Sequence, residues 1–246
     1  MAELVYPPVI GFARTMFKVQ GLRFDISGTE NVPRKGGALL VSNHIGYLDF
    51  VFAGLAALPA KRLVRFMAKE SVFRHKVSGP LMRAMKHIPV DRSEGMHAYK
   101  HALTALRAGE IIGVFPEATI SQSFTLKSFK SGAARLAMEA GVPLLPVALW
   151  GTQRLWTKGQ PRQLGRNGFP ISIRVGEQMT PHENEKPGAL TRRVRLRIQE
   201  LLEDAQRVYT GRPSGPHDHW WLPAHLGGSA PTAEDVAARE RAATAE

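Results

Sequence analysis

Hydrophobic positions along this 246-residue chain recur with two different periods, and they divide it into strands alternating with helices. Leu22 to Ile26 alternates apolar and polar residues as a half-buried strand does. Ala38 to Val41 is a short apolar run that stops at the polar Ser42-Asn43-His44. Phe50 to Leu58 is apolar on most sides and predicts a buried helix halted by Pro59. Arg65 to Ala68 predicts a further strand. Met96 to Ala108 predicts a helix, with Gly109 at the position glycine favours just past a helix end. The buried strand Ile111 to Phe115 follows and stops at Pro116. Gly132 to Ala140 predicts a second helix ending before Gly141, and Leu144 to Leu149 and Ile171 to Val175 predict two more strands. Leu190 to Val208 carries Leu190, Val194, Leu201, Leu202 and Ala205 on one side of a long amphipathic helix.

This alternation predicts an α/β fold: a mixed, mostly parallel central sheet flanked by helices. Residues 1–20 separate from it as an N-terminal amphipathic segment. After Pro7-Pro8, Ile10, Ala13 and Phe17 and then Val9, Phe12 and Met16 repeat at helical spacing, with Arg14 and Lys18 between them. The segment suits an interfacial membrane anchor or a first core helix, and the pattern leaves both open. Residues 21–210 form the expected domain. From 211 to 246 the chain is rich in Pro, Gly, Ala and charge, which predicts a flexible C-terminal tail, with Trp220-Trp221-Leu222 able to dock on the body or on lipid.

Charge sharpens this picture. The formal net charge is +12, and residues 61–107 hold eleven Lys/Arg against three Asp/Glu. A patch of that kind attracts anions: nucleic acid, an anionic membrane, or phosphorylated small molecules. Cysteine is absent, which excludes disulfides and thiolate metal sites and fits a reducing compartment. No run approaches the ~20 apolar residues that cross a bilayer, and the start lacks the small-residue cleavage site of a signal peptide. No nucleic-acid-binding motif, nucleophile elbow or phosphate loop occurs, and His217-Asp218-His219 lacks a third metal ligand at sensible spacing.

Functional residues of open α/β sheets gather at the carboxyl ends of strands. Two segments have that placement: Asn43-His44-Ile45-Gly46-Tyr47-Leu48-Asp49 and Phe115-Pro116-Glu117-Ala118-Thr119-Ile120-Ser121. In the first, His44 and Asp49 read as a base and its orienter. Imidazole can take a hydroxyl proton near neutrality, and a carboxylate on its other nitrogen fixes the tautomer and stabilises the imidazolium. Backbone N–H groups near Gly46 are the candidate oxyanion donors.

The His44–x4–Asp49 spacing resembles the first motif of the glycerolipid acyltransferase family, which includes 1-acylglycerol-3-phosphate acyltransferases. Ile88-Pro89-Val90-Asp91-Arg92, Phe115-Pro116-Glu117-Ala118-Thr119 and Val142-Pro143-Leu144-Leu145-Pro146-Val147 resemble its second, third and fourth motifs, in the family's order. Lys69 and Lys130 also sit where members often carry lysine. The resemblance covers roughly residues 20 to 152. It implies a glycerol-phosphate acyltransferase-like fold and direct acyl transfer from acyl-CoA or acyl carrier protein to the free hydroxyl of lysophosphatidic acid, in phospholipid biosynthesis.

By that resemblance His44 and Asp49 are catalytic, and Arg92, aided by Lys69 or Lys130, holds the acceptor's phosphate. Glu117 shapes the acceptor site by accepting hydrogen bonds from a glycerol hydroxyl or from Arg92, or caps the next turn through backbone N–H groups; Thr119 is open to the same two roles. No cofactor or metal is implied. The expected partners are a membrane lipid acceptor, the acyl donor and an anionic membrane surface, without nucleic acid, and the expected location is peripheral, on the cytoplasmic face of a membrane. The sequence departs from the family at Ala118, where the motif has glycine, at Ile120, where it has arginine, and at Gly46, often serine. The missing arginine leaves two alternatives: the same chemistry on another lipid or glycolipid, or a non-catalytic lipid-binding relative. Intact His44 and Asp49 favour catalysis.

Overall fold

The computed structural model describes residues 4–76, 78–91 and 95–245. The chain runs through α1 (Tyr6–Gln20), β1 (Arg23–Ser27), β2 (Ala38–Ser42), α2 (Asp49–Leu55) and β3 (Val64–Lys69). Two short helices, α3 (Glu70–Arg74) and α4 (Ser78–Ala84), lead to β4 (Ile88–Val90), followed by α5 (Gly95–Arg107), β5 (Ile111–Val114), α6 (Gly132–Ala140) and β6 (Leu144–Trp150). Then come β7 (Pro170–Val175), the long α7 (Pro187–Arg207) and α8 (Ala233–Ala245). The strands form one sheet in the order β1-β7-β6-β2-β5-β3-β4.

Five of the six neighbouring strand pairs are parallel. Only β6 and β7 pair antiparallel, so β1 and β7 run against the other five strands. The sheet is therefore mixed and mostly parallel. Its central strands are covered on both faces, which is why they read as unbroken apolar runs. Along β2, Leu39 and Val41 pack into the layer of α5, α6 and α7, while Ala38 and Leu40 face that of α1 and α2. Every residue of the edge strand β1 keeps appreciable exposure, but Phe24 packs against Phe17 and Phe52 on one face, which accounts for the alternating sequence.

Three local outcomes differ from the pattern. The helix after His44 ends at Leu55, short of Pro59, and the chain turns out through Lys61 at positive φ. The α1 pattern resolves into two faces: Tyr6 and Phe17 are buried, whereas Phe12 is 69 % and Val19 62 % exposed. Beyond 211 the composition predicts a flexible tail, yet the described residues 211–245 carry a 3-10 turn at Ala224–Leu226 and α8. Trp221, Ala230 and Val236 are buried there. Three apolar side chains spaced through a polar segment suffice to seat it, and composition averaged over that segment hides them. Among the described residues no helix is long and apolar enough to cross a membrane.

Candidate active site

The site is built where β2 runs out. Asn43, fully buried, substitutes its side-chain amide for the strand ladder. Its Nδ2 donates to the Leu149 carbonyl (3.0 Å), and its Oδ1 accepts from the Leu149 N–H (2.8 Å). The sheet is thus satisfied one residue past β2, and the main chain is free to turn at His44.

Asp49, the first residue of α2, folds back into that turn with no exposed surface. Its Oδ2 accepts from the backbone N–H of Ile45 (2.6 Å) and Gly46 (2.8 Å) and lies 2.9 Å from His44 Nδ1. Its Oδ1 accepts from the Thr152 hydroxyl at 2.5 Å. Among the described residues four donors thus converge on this carboxylate at the first turn of α2. With Nδ1 turned to Asp49, Nε2, which has no protein partner among the described residues, is the nitrogen left to take a proton. The His44 ring stacks on Phe115 with centroids 4.3 Å apart and planes 20° apart. Orientation is therefore fixed from both the edge and the face of the ring.

Backbone N–H groups near Gly46 were the candidate oxyanion donors. Those of Ile45 and Gly46 are spent on Asp49 and that of Tyr47 on the Trp156 carbonyl, so that expectation is corrected for these three. Gly46 also has little spare room, since a Cβ there would lie 3.1 Å from the Thr152 carbonyl oxygen and 3.2 Å from that of Trp156.

A model of the acyltransferase family, described simply as Acyltransferase, matches residues 23–150, more than half of the chain. The chain belongs to this acyltransferase family. Among its relatives, it is 29 % identical to the 1-acyl-sn-glycerol-3-phosphate acyltransferase of Bacillus subtilis (strain 168), over 70 % of this chain and 84 % of that one. It is 30 % identical to the enzyme of the same name from Borreliella burgdorferi, over 74 % of this chain and 73 % of that one. The crystal structure of the 1-acyl-sn-glycerophosphate acyltransferase from Thermotoga maritima shares the fold, with a TM-score of 0.70 at 24 % identity over 83 % of this chain and 81 % of that one. The protein is an O-acyltransferase of the 1-acyl-sn-glycerol-3-phosphate acyltransferase family.

The remaining candidate residues of the acyltransferase fall in three groups. Glu117 is buried, and both its oxygens meet main chain: Oε1 accepts from the His44 N–H (2.8 Å) and Oε2 from the Lys127 N–H (2.9 Å). It clamps the His44 turn to the loop after β5, the capping geometry rather than the acceptor-facing one. Burial raises its pKa to about 7, against the pull of those two N–H groups. Thr119 accepts at 3.0 Å from Lys127 Nζ, which also pairs with Glu240 of α8 at 2.7 Å. Ile120 is only 7 % exposed and packs inward where the motif's arginine would stand. Lys69, at the end of β3, and Lys130, which follows the same loop, are both exposed. Arg92 lies outside the described residues.

Sequence reasoning missed Thr152, Trp156 and Thr157. The Trp156 carbonyl accepts from the Tyr47 N–H (2.9 Å), and the Thr157 hydroxyl donates to the Ile45 carbonyl (2.7 Å). With Thr152, these give the connection between β6 and β7 three hydrogen bonds to the His–Asp turn. No spacing rule could reveal them, because the partners are more than a hundred residues apart.

Proposed function

We propose that this acyltransferase transfers a fatty acyl group from a thioester, acyl-CoA or acyl carrier protein, to the free hydroxyl of lysophosphatidic acid, with His44 as general base. The observation that carries the reading is the contact of His44 Nδ1 with the buried Asp49, which leaves Nε2 without a protein partner among the described residues. Nε2 takes the acceptor hydroxyl's proton as the oxygen attacks the thioester carbonyl. Asp49 stabilises the imidazolium that forms. The tetrahedral intermediate collapses with loss of the thiolate, which leaves more readily than an alkoxide and takes up the proton, so no acyl-enzyme is needed.

The acyl chain enters on an apolar side. A narrow apolar crevice of about 70 Å³ lies between α1 and α2, with Ile10, Phe50, Leu55, Phe66 and Met85 among its walls. Phe66 stacks on Phe115 at 5.9 Å, and Phe115 on His44, so the crevice opens two rings from the base. On the acceptor side, Lys127 stands beside Thr119 and supplies a cation near the motif position that Ile120 leaves apolar. Lys69, Lys130 and Arg92 are the further candidates for the acceptor's phosphate, with Glu117 as the clamp of the turn. The outward Phe12, Met16 and Val19, interleaved with Arg14 and Lys18, suit peripheral binding to an anionic membrane, on its cytoplasmic face.

The test is product analysis: purified protein, palmitoyl-CoA and lysophosphatidic acid, with lipid extracts read by mass spectrometry. Phosphatidic acid that forms only with both substrates supports the reading. Acylation of a glycolipid acceptor with none of lysophosphatidic acid would replace the acceptor and keep the chemistry.

A further inference from the structure

The β6–β7 connection that grips the His–Asp turn also bears charge of one sign. From Gly151 to Phe169 it contains Arg154, Lys158, Arg162 and Arg166 and no acidic residue. Beside it opens a polar cavity of about 450 Å³, with Arg23, Arg154 and Arg212 in its walls and Asp218 as the carboxylate among them. Two guanidiniums are available there. Arg23 spends only Nε, on the Gly168 carbonyl, and Arg212 makes no hydrogen bond or ion pair with the described residues.

Arg154 is the third. Its side chain is 5 % exposed and sandwiched between the rings of Phe169 (4.0 Å) and Trp221 (4.1 Å). It pairs with Asp218 at 3.3 Å, yet its Nε is buried with no hydrogen-bond partner. That Nε has no accessible surface, so Arg154 adds fixed positive charge to the cavity wall while Arg23 and Arg212 supply the free donors. Three arginines against one carboxylate call for an anionic ligand, and guanidinium forks suit phosphate.

We propose that this cavity holds the phosphate-bearing nucleotide end of the thioester donor. The proposal rests on the acyl-transfer reading above and assigns its donor side. Sheet order carries the assignment. β2, which bears His44, lies between β6 and β5. The candidate cations for the acceptor, Lys69 and Lys127, belong to the β3 and β5 side. The arginine cavity belongs to the β6, β7 and β1 side, within about three strand spacings of β2, on the order of 14 Å. Arg154 stands in the same 3-10 turn as Thr152, Asp49's partner, two residues on and so about 4 Å along its axis. Donor and acceptor phosphates thus flank the dyad without competing for one set of cations.

The test uses the full chain and the double variant Arg23→Gln/Arg212→Gln, which spares the buried Arg154. Calorimetric titration with adenosine 3′,5′-bisphosphate should show binding to the wild type, weakened at least tenfold in the variant. The variant's KM should rise about tenfold for palmitoyl-CoA and stay unchanged for palmitoyl-pantetheine, which lacks the phosphates. No bisphosphate binding, binding untouched by the variant, or an equal rise for both donors would overturn the proposal. So would a rise confined to the KM of lysophosphatidic acid, which would give the cavity to the acceptor. Arginine-dependent bisphosphate binding without transfer from either donor would support the site and count against the acyl-transfer reading instead.

Discussion

The Thr152 hydroxyl donates a 2.5 Å hydrogen bond to Oδ1 of Asp49 across 103 residues of sequence. Among the described residues it is the only one of the carboxylate's four donors that comes from outside the His44–Asp49 turn. Losing it leaves a buried carboxylate oxygen unpaired. Thr152→Val is expected to lower kcat roughly tenfold by loosening the orienter, with KM nearly unchanged, and Thr152→Ser to restore it. Steady-state kinetics of the two variants check this; equal losses in both would point to packing rather than to the hydroxyl.

Ala118 is held at a φ of +61°, in the left-handed region that costs an L-residue about 1–2 kcal/mol. The family motif has glycine here. Ala118→Gly should therefore stabilise the protein, by about 0.5–1 kcal/mol once the greater freedom of the unfolded glycine is offset. Urea unfolding measures the difference, and a lower midpoint in the variant would contradict it.

His87 is buried beside Arg65 and accepts the Phe66 N–H on Nδ1; burial, then the Arg65 charge, lowers its pKa from 6.5 to about 4. Between those values the unfolded chain binds more protons, so this group contributes stability above pH 6.5 that is lost as pH falls towards 4, up to ~3 kcal/mol. Glu117 works in the opposite direction: its pKa, raised from 4.5 to about 7, makes its contribution fall as pH rises through that window. His87→Gln keeps an acceptor for Phe66 but cannot titrate. Its stability should therefore decline from pH 5 to pH 6.5 relative to wild type, by at most about 1.4 kcal/mol per pH unit. Parallel stability profiles would refute the assignment.

Lys127 is paired with Glu240, so an anionic acceptor must displace that carboxylate to use this cation. Glu240→Gln is expected to lower the KM for lysophosphatidic acid a few-fold at low salt and to do little at 0.5 M salt, where exposed charges are screened. Lys127→Gln should raise KM. An unchanged KM in both variants would remove Lys127 from the acceptor site.

The parts of this molecule legible in the sequence are those whose cause is local. β2, β5 and β6 announce themselves as apolar runs because both sheet faces are covered, and Gly109 and Gly141 mark helix ends with positive φ. His44 and Asp49 could be paired because a five-residue step across a turn brings them within 2.9 Å. What stayed hidden depends on distant segments meeting. The antiparallel entry of β7, Thr152 on Asp49, and Trp221 beneath Arg154 have no periodicity that records them. Glu117 could be singled out by its motif, but whether it faced main chain or ligand depended on where the Lys127 N–H lies.

The most direct test of the His44–Asp49 assignment is thiol release from palmitoyl-CoA, with and without lysophosphatidic acid, for wild type, His44→Ala and Asp49→Asn. Acceptor-dependent release that falls by ~10²-fold or more in His44→Ala, and markedly in Asp49→Asn, is the expected result. Release that persists in His44→Ala at near wild-type rate, with the variant folded, would contradict the assignment of His44 as the base.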